Sequence, residues 1–291
     1  MKTLLIGTTA TNRSVLHKDC ISGWYEYIKS LDPSNYTIKW FINIDYIEKL
    51  GEEVSHTENH FRSLIQNIDT VYLTNPGKKG DFLQACKKVS EAIESYVKEE
   101  ALEKKDVIVF WLEDDWKLHP QNIGLEELLK NYMTPFCYIN LSFIRANYIH
   151  ALAPSLISYA LWSKLHLTAW KEEYGTIDPE HCVGKYYLDH FGKYEELSNI
   201  TLINAFKKHD AGFFQMKMFE SAKSYYTYDK EKESNIINEK YIAKEALKDF
   251  VKDDIVFIRI TTSCCTDKGR EFMKNINLVK KKHNTSNDFY T

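Results

Sequence analysis

The stretch DVIVFWLEDDWKL, Asp106 to Leu118, runs from five consecutive apolar residues and Leu112 into three adjacent acids, Glu113, Asp114 and Asp115. Carboxylates side by side repel one another and resist desolvation, so they need either open solvent or a cation. Successive side chains of an extended strand end point to opposite sides, which predicts Glu113 and Asp115 on one side and Asp114 on the other. A carboxylate pair at the edge of a crevice suits a hard divalent cation, Mg²⁺ or Mn²⁺, that bridges it to phosphate oxygens. The competing reading is a solvated acidic loop that caps the next helix.

The elements around the acids follow from periodicity. Through the first half, short apolar runs alternate with amphipathic stretches: TLLIG, then LHKDCISGWYEYIKSL, then YTIKWFINI, a polar helix around EEVSHTENHFRSLIQNI, TVYLT, and a long helix from KGDFLQACKK onward. This alternation is that of strands joined by helices in a mostly parallel sheet, so the fold class is α/β. In the long helix Phe82, Leu83, Ala85, Cys86, Val89, Ile93 and Val97 recur at three and four, which predicts one face against the sheet. Ligands of open α/β sheets sit at the carboxyl ends of the strands. Those ends here carry Thr8 to Arg13, Asp45, Asn75 to Gly80, and the three acids.

Beyond the acids, FCYINLSFI reads as a strand, APSLISYALWSKL as mixed strand and helix, and DPEHCVGKYYLDHFGKYEEL as a helix opened by Asp178 and Pro179. The polar segment SAKSYYTYDKEKESN suggests a boundary: residues 1–225 as the main domain and 226–291 as a small helix-strand-helix extension. That extension could complete an acceptor site, form a homodimer contact or cover the sheet edge.

The 291 residues, 44% of them hydrophobic, can bury a large core. A formal net charge of −3 gives no general reason to expect a nucleic acid or an anionic membrane as partner. The six cysteines show no C-x-x-C pair, which argues against a zinc site or a disulfide framework and fits a reducing, cytoplasmic setting. MKTLLIGTTATNRS reads as a first strand rather than a leader, and no run of 18 apolar residues suggests a transmembrane segment.

TTATNRS after the first strand, Asp45 after the second, NPGKKGDFLQA before a helix, and WLEDDW together resemble the nucleotide-sugar-dependent glycosyltransferases of the GT-A fold, especially their large inverting, family 2-like group. The resemblance covers roughly residues 3 to 215 and lies in motif order more than in any one motif. It implies a Rossmann-like, mixed and mostly parallel sheet flanked by helices. The donor would be a nucleoside diphosphate sugar, of UDP or GDP type, and the acceptor glycan-like.

Carried over residue by residue, the resemblance has Thr8, Thr9, Asn12 and Arg13 line the nucleotide pocket, Asp45 accept a hydrogen bond from base or ribose, and Gly80 allow close backbone approach. Glu113 and Asp115 fall at the outer positions of the D-x-D motif, with Asp115 the direct metal ligand and Asp114 grouped with the donor contacts. Glu at the first acid, Ala10 in place of an aromatic residue and a first turn without proline depart from the family pattern.

An inverting transfer needs a base for the acceptor hydroxyl, and the family places an acid at the start of a helix beyond the D-x-D strand, where Asp178 and Glu180 stand. Read without the resemblance, Asp178 is a helix N-cap and Glu180 a first-turn acid favoured by the helix dipole. His209, followed by Ala211 and Gly212, is similar to a C-terminal histidine that returns to the metal, a shell that suits Mn²⁺. Trp162 and Trp170 are candidates for stacking on an acceptor sugar. Two other readings compete with the transferase: a nucleotidyltransferase that makes nucleotide sugars, and a non-catalytic carbohydrate- or nucleotide-binding protein on the same scaffold.

Overall fold

A computed structural model describes residues 1–75, 77, 79–119, 123–141, 154–175, 178–191, 200–203, 256–260, 265–269 and 272. Strands β1 (Lys2–Thr11), β2 (Tyr36–Asp45), β3 (Asp69–Thr74) and β4 (Val107–Glu113) alternate with helices α1 (Ser14–Lys29), α2 (Val54–Leu64) and α3 (Phe82–Glu99). The short strand β5 (Trp116–Leu118) follows the acids, and α4 (Leu125–Tyr132) leads to β6 (Cys137–Asn140). Strand β7 (Ser155–Ser158) runs into α5 (Tyr159–Trp162), a π-helical turn (Ser163–Leu167) and α6 (Thr168–Lys171) without a break. Helix α7 (Pro179–Phe191) and strands β8 (Ile200–Ile203), β9 (Val256–Ile260) and β10 (Cys265–Asp267) complete the described elements.

Eight strands form one sheet in the order β3-β2-β1-β4-β7-β6-β9-β8, and β10 pairs with β5 in a two-stranded sheet. Every pairing in the large sheet is parallel except the two made by β7. The fold is therefore the expected mixed α/β class, a mostly parallel sheet flanked by helices. Parallel strands are covered on both faces, and β4 is buried from Val107 through Leu112, as its unbroken apolar run requires.

One core layer lies between the sheet and α1, α2 and α4, with Trp24, Phe61, Phe110 and Leu128. The other lies under α3, α5, α6 and α7, with Trp111, Ile93, Trp170 and Tyr187. Gly7 lets the second layer close. A Cβ there would stand 2.8 Å from the Trp111 ring and 3.0 Å from Val89 Cγ1, so ring and helix rest on bare backbone.

Two expectations change. The stretch assigned to a C-terminal extension places β9 in the large sheet, parallel to β6 from Cys137↔Val256 to Asn140↔Arg259, so the sheet itself crosses the proposed 225/226 boundary. Trp162 and Trp170 are both fully buried, which removes them as stacking surfaces for a sugar. Trp170 instead packs on Trp111 with 4.7 Å between ring centroids and donates its indole N–H to Pro179 O at 3.0 Å, tying α6 to the start of α7. Among the described residues no helix is long and apolar enough to cross a membrane.

Candidate functional site

The acids lie where β4 turns into β5, and their main counter-cation belongs to the chain itself. Arg13, in the turn after β1, is 6% exposed and directs Nη2 to Asp114 Oδ1 at 2.7 Å and to Asp115 Oδ2 at 2.8 Å. Its Nε reaches Asp114 Oδ2 at 3.3 Å. That oxygen also accepts the Thr11 backbone N–H at 3.1 Å and lies 3.0 Å from His17 Nε2. Burial works against the Asp114 carboxylate, but Arg13 and the His17 hydrogen bond outweigh it and hold its pKa well below the usual carboxylate range.

Strand alternation predicts Glu113 with Asp115, whereas Arg13 joins Asp114 with Asp115. The physical reason is that β4 ends at Glu113 and Asp114 and Asp115 occupy a turn, where alternation no longer applies. Glu113 Oε2 accepts the Trp116 indole N–H at 3.0 Å. Asp114, grouped by sequence with the donor contacts, is 2% exposed and enclosed by these partners, so it fastens β4 to β1 and α1. Asp115 is pushed up to about 7, first by burial and then by the neighbouring acids Asp267 and Asp114, with Arg13 opposing.

The first turn is built inward. Thr8 Oγ1 accepts the Trp40 indole N–H at 2.8 Å inside the core. Asn12 accepts the Ile47 N–H at 2.8 Å and donates to Ile47 O at 3.0 Å and Glu52 O at 2.6 Å, stapling the loop that follows β2. Both side chains, expected in the nucleotide pocket, are occupied by the fold. Thr9 stands beside Asn43 on β2 and Glu113 on β4 in register. Its Oγ1 and both amide atoms of Asn43 are buried without hydrogen-bond partners among the described residues.

Asp45 ends β2 at 5% exposure and accepts the Asp81 N–H at 2.6 Å and the Asn75 amide at 3.3 Å. Burial pushes its carboxyl up to about 6 despite both hydrogen bonds. Gly80 has φ +74°, and a Cβ there would lie 3.0 Å from Asp45 Oδ2 and 3.1 Å from Ile47 Cγ1. The expected close approach at Gly80 is thus the approach of its own backbone to Asp45.

Cys86 on α3 is fully buried and its thiol is raised well above its usual value, first by burial and then by Glu113, Cys182, Asp178 and Asp45. Asp45 ends β2 and Glu113 ends β4, on either side of β1 in the parallel sheet. Asp178 Oδ1 accepts the Glu180 N–H at 3.0 Å, and its carbonyl accepts the Cys182 N–H at 2.9 Å, the geometry of an N-cap. Glu180 is half-buried in the first turn of α7. His209 lies outside the described residues.

Among the described residues no group of three or more His, Cys, Asp or Glu side chains is arranged to hold a metal ion. One oxygen fits a cation: Asp115 Oδ1 is buried and has no hydrogen-bond partner among the described residues. Mg²⁺ commonly takes only one or two carboxylates and completes its shell with water and phosphate oxygens, so this single open oxygen is compatible with such an ion.

Sequence reasoning named Arg13 but not its partners, and it missed His17, in the first turn of α1, which reaches the same Asp114. It also missed the segment from Asp267 to Gly269. Lys268 N–H donates to Asp115 O at 2.8 Å, and a Cβ on Gly269 would stand 2.0 Å from Asp115 Oδ2.

No protein-family model matches the sequence, and no curated protein matches it. Among solved structures the chain is similar to S. aureus TarS 1–349, at 9% identity and a TM-score of 0.35 over 56% of this chain and 48% of that one. It thus spans about half the length of that structure. It is also similar to mouse xyloside xylosyltransferase 1, at 8% identity and 0.35 over 64% and 82% of the two chains. Core-mannan synthase A from Aspergillus fumigatus, in an Mn/GDP form, is similar at 8% identity and 0.33 over 63% and 69%.

Proposed function

We propose that the chain is a glycosyltransferase of GT-A type that moves a sugar from a nucleoside diphosphate donor to a hydroxyl of a glycan-like acceptor, with inversion. The observation that supports this reading is the placement of Asp45 and Glu113 at the carboxyl ends of β2 and β4, parallel strands on either side of β1. Asp45 is a carboxylate weakened by burial, and an N–H or O–H of a base or ribose would satisfy it better than apolar surroundings do. Thr9 Oγ1 and the Asn43 amide add unpartnered polar atoms on the same rim.

Asp115, through Oδ1, is the residue for a divalent cation, Mn²⁺ or Mg²⁺, with Glu113 and, from outside the described residues, His209 as further candidate ligands. When bound, such an ion neutralises charge on a departing diphosphate. Asp178 or Glu180 takes the acceptor proton, and Asp178 must then leave or share its cap hydrogen bond to Glu180.

The test is calorimetric titration with UDP, GDP and their sugars, with and without Mn²⁺, on the wild type and on Asp115→Ala. Metal-dependent binding of one diphosphate, weakened at least about tenfold in the variant, supports the reading, and donor hydrolysis then separates an enzyme from a binder. Binding of nucleoside triphosphates alone would move the assignment to a nucleotidyltransferase.

A further inference from the structure

The strand pair β5–β10 brings a remote part of the chain onto the acids. Cys265, Thr266 and Asp267 pair antiparallel with Leu118, Lys117 and Trp116, and Thr266 Oγ1 meets His119 Nε2. The chain then bends over the acid turn. Lys268 N–H donates to Asp115 O at 2.8 Å, and Gly269 N–H donates to Asp267 Oδ1 at 2.9 Å. Gly269 is buried against the charged pair: a Cβ there would lie 2.0 Å from Asp115 Oδ2, 2.8 Å from its Cγ and 3.1 Å from Arg13 Nη1. No real Cβ tolerates the first two distances, and the atoms that must move are the carboxylate itself and the guanidinium holding it.

We infer that residues 265–269 form a clasp that sets the position of Asp115, with Gly269 as a positioning residue whose missing side chain lets Asp115 keep Oδ2 on Arg13 while Oδ1 stays open for a ligand. The clasp holds Asp115 from two directions, by backbone at its carbonyl and by close packing at its carboxylate. Asp267 fixes the bend by accepting the Gly269 N–H, and it places a second acid next to Asp115. The ligand part of this inference rests on the nucleotide-sugar reading; the positioning part does not.

Gly269→Ala separates the two. Gly124→Ala, where a Cβ meets open space, is the control. Amide exchange of the 107–118 segment, followed by mass spectrometry, is expected to speed up by about fivefold or more in Gly269→Ala and to stay at wild-type rates in Gly124→Ala. Mn²⁺-dependent UDP or GDP binding is expected to weaken at least about tenfold in Gly269→Ala only. Unchanged exchange overturns the clasp. Faster exchange in a protein whose wild type binds no diphosphate keeps the clasp and removes the transferase reading. Faster exchange with undiminished binding overturns the ligand part of the inference. If Gly269→Ala does not fold by circular dichroism, Asp267→Ala decides, because it loosens the bend without adding bulk: exchange must rise in the same segment or the inference fails.

Discussion

Asp114 shows how a residue with the chemistry of a ligand becomes a fastener. Its two oxygens serve Arg13 and His17, both at or near full burial, and the half-buried Thr11 N–H. Asp114→Ala would leave the guanidinium buried with part of its acceptor set removed, and breaking such a pair costs about 3–5 kcal/mol. Urea unfolding is expected to show a loss of that size, larger than that of Asp115→Ala, whose carboxylate is held by Arg13 at one oxygen. Asp45 is the opposite case, a carboxylate whose folded pKa is raised to about 6 from an ordinary 3.8. Its contribution to stability is fully present below 3.8 and is lost as pH rises through about 6, because the folded state then ionises against its surroundings. Wild type should therefore lose stability relative to Asp45→Asn between pH 4 and 7, on the order of 2 kcal/mol in urea titrations. The same window governs ligand binding if a base or ribose donates to Asp45: affinity should rise from pH 5 to 7 in wild type and stay flat in Asp45→Asn. The roles of Asp114 and Arg13 were not legible in sequence, because their contact spans 101 positions and only the parallel pairing of β1 with β4 creates it.

At the scale of elements, apolar periodicity announced the strands and helices through α3, since burial on both faces of β4 and on one face of α3 leaves a direct trace in residue type. The segment after β7 left a weaker trace. There α5, the π turn and α6 form one continuous helical path, and the π turn rotates its residues away from a 3.6 period. His166 in that turn is fully buried, both ring nitrogens lack hydrogen-bond partners among the described residues, and its ring packs 5.9 Å from Tyr138 and 5.4 Å from Trp170 between centroids. Burial lowers its pKa to about 3 from 6.5. A depressed histidine stabilises the fold above 6.5 and loses that contribution as pH falls toward 3, by about 1.4 kcal/mol per pH unit. The acid limb of the wild-type stability profile should flatten in His166→Leu, measured as urea midpoints from pH 7 to 4. The aromatic residues near the acids misled sequence reasoning for a related reason: stacking on a sugar and packing under a helix demand the same side chains, and only the path of the π turn decides between them.

The whole molecule is joined by its last described strands. Strand β9 lies between β6 and β8, so among the described strands β8 joins the sheet through β9, and β10 covers β5 beside the acids. A polar stretch near residue 225 reads as a boundary because composition records solvent exposure, not where the following chain returns. That return matters during synthesis. A ribosome delivers β1 through β7 long before residues 256–260 emerge, so for that interval β6 presents the apolar backbone edge of Cys137, Tyr138 and Ile139 with no neighbour on that side. An open edge of this kind is a template for another nascent chain. Chaperone dependence and the yield of folded protein are thereby tied to how soon the final strands arrive, and the completeness of the acid site is tied to the same event.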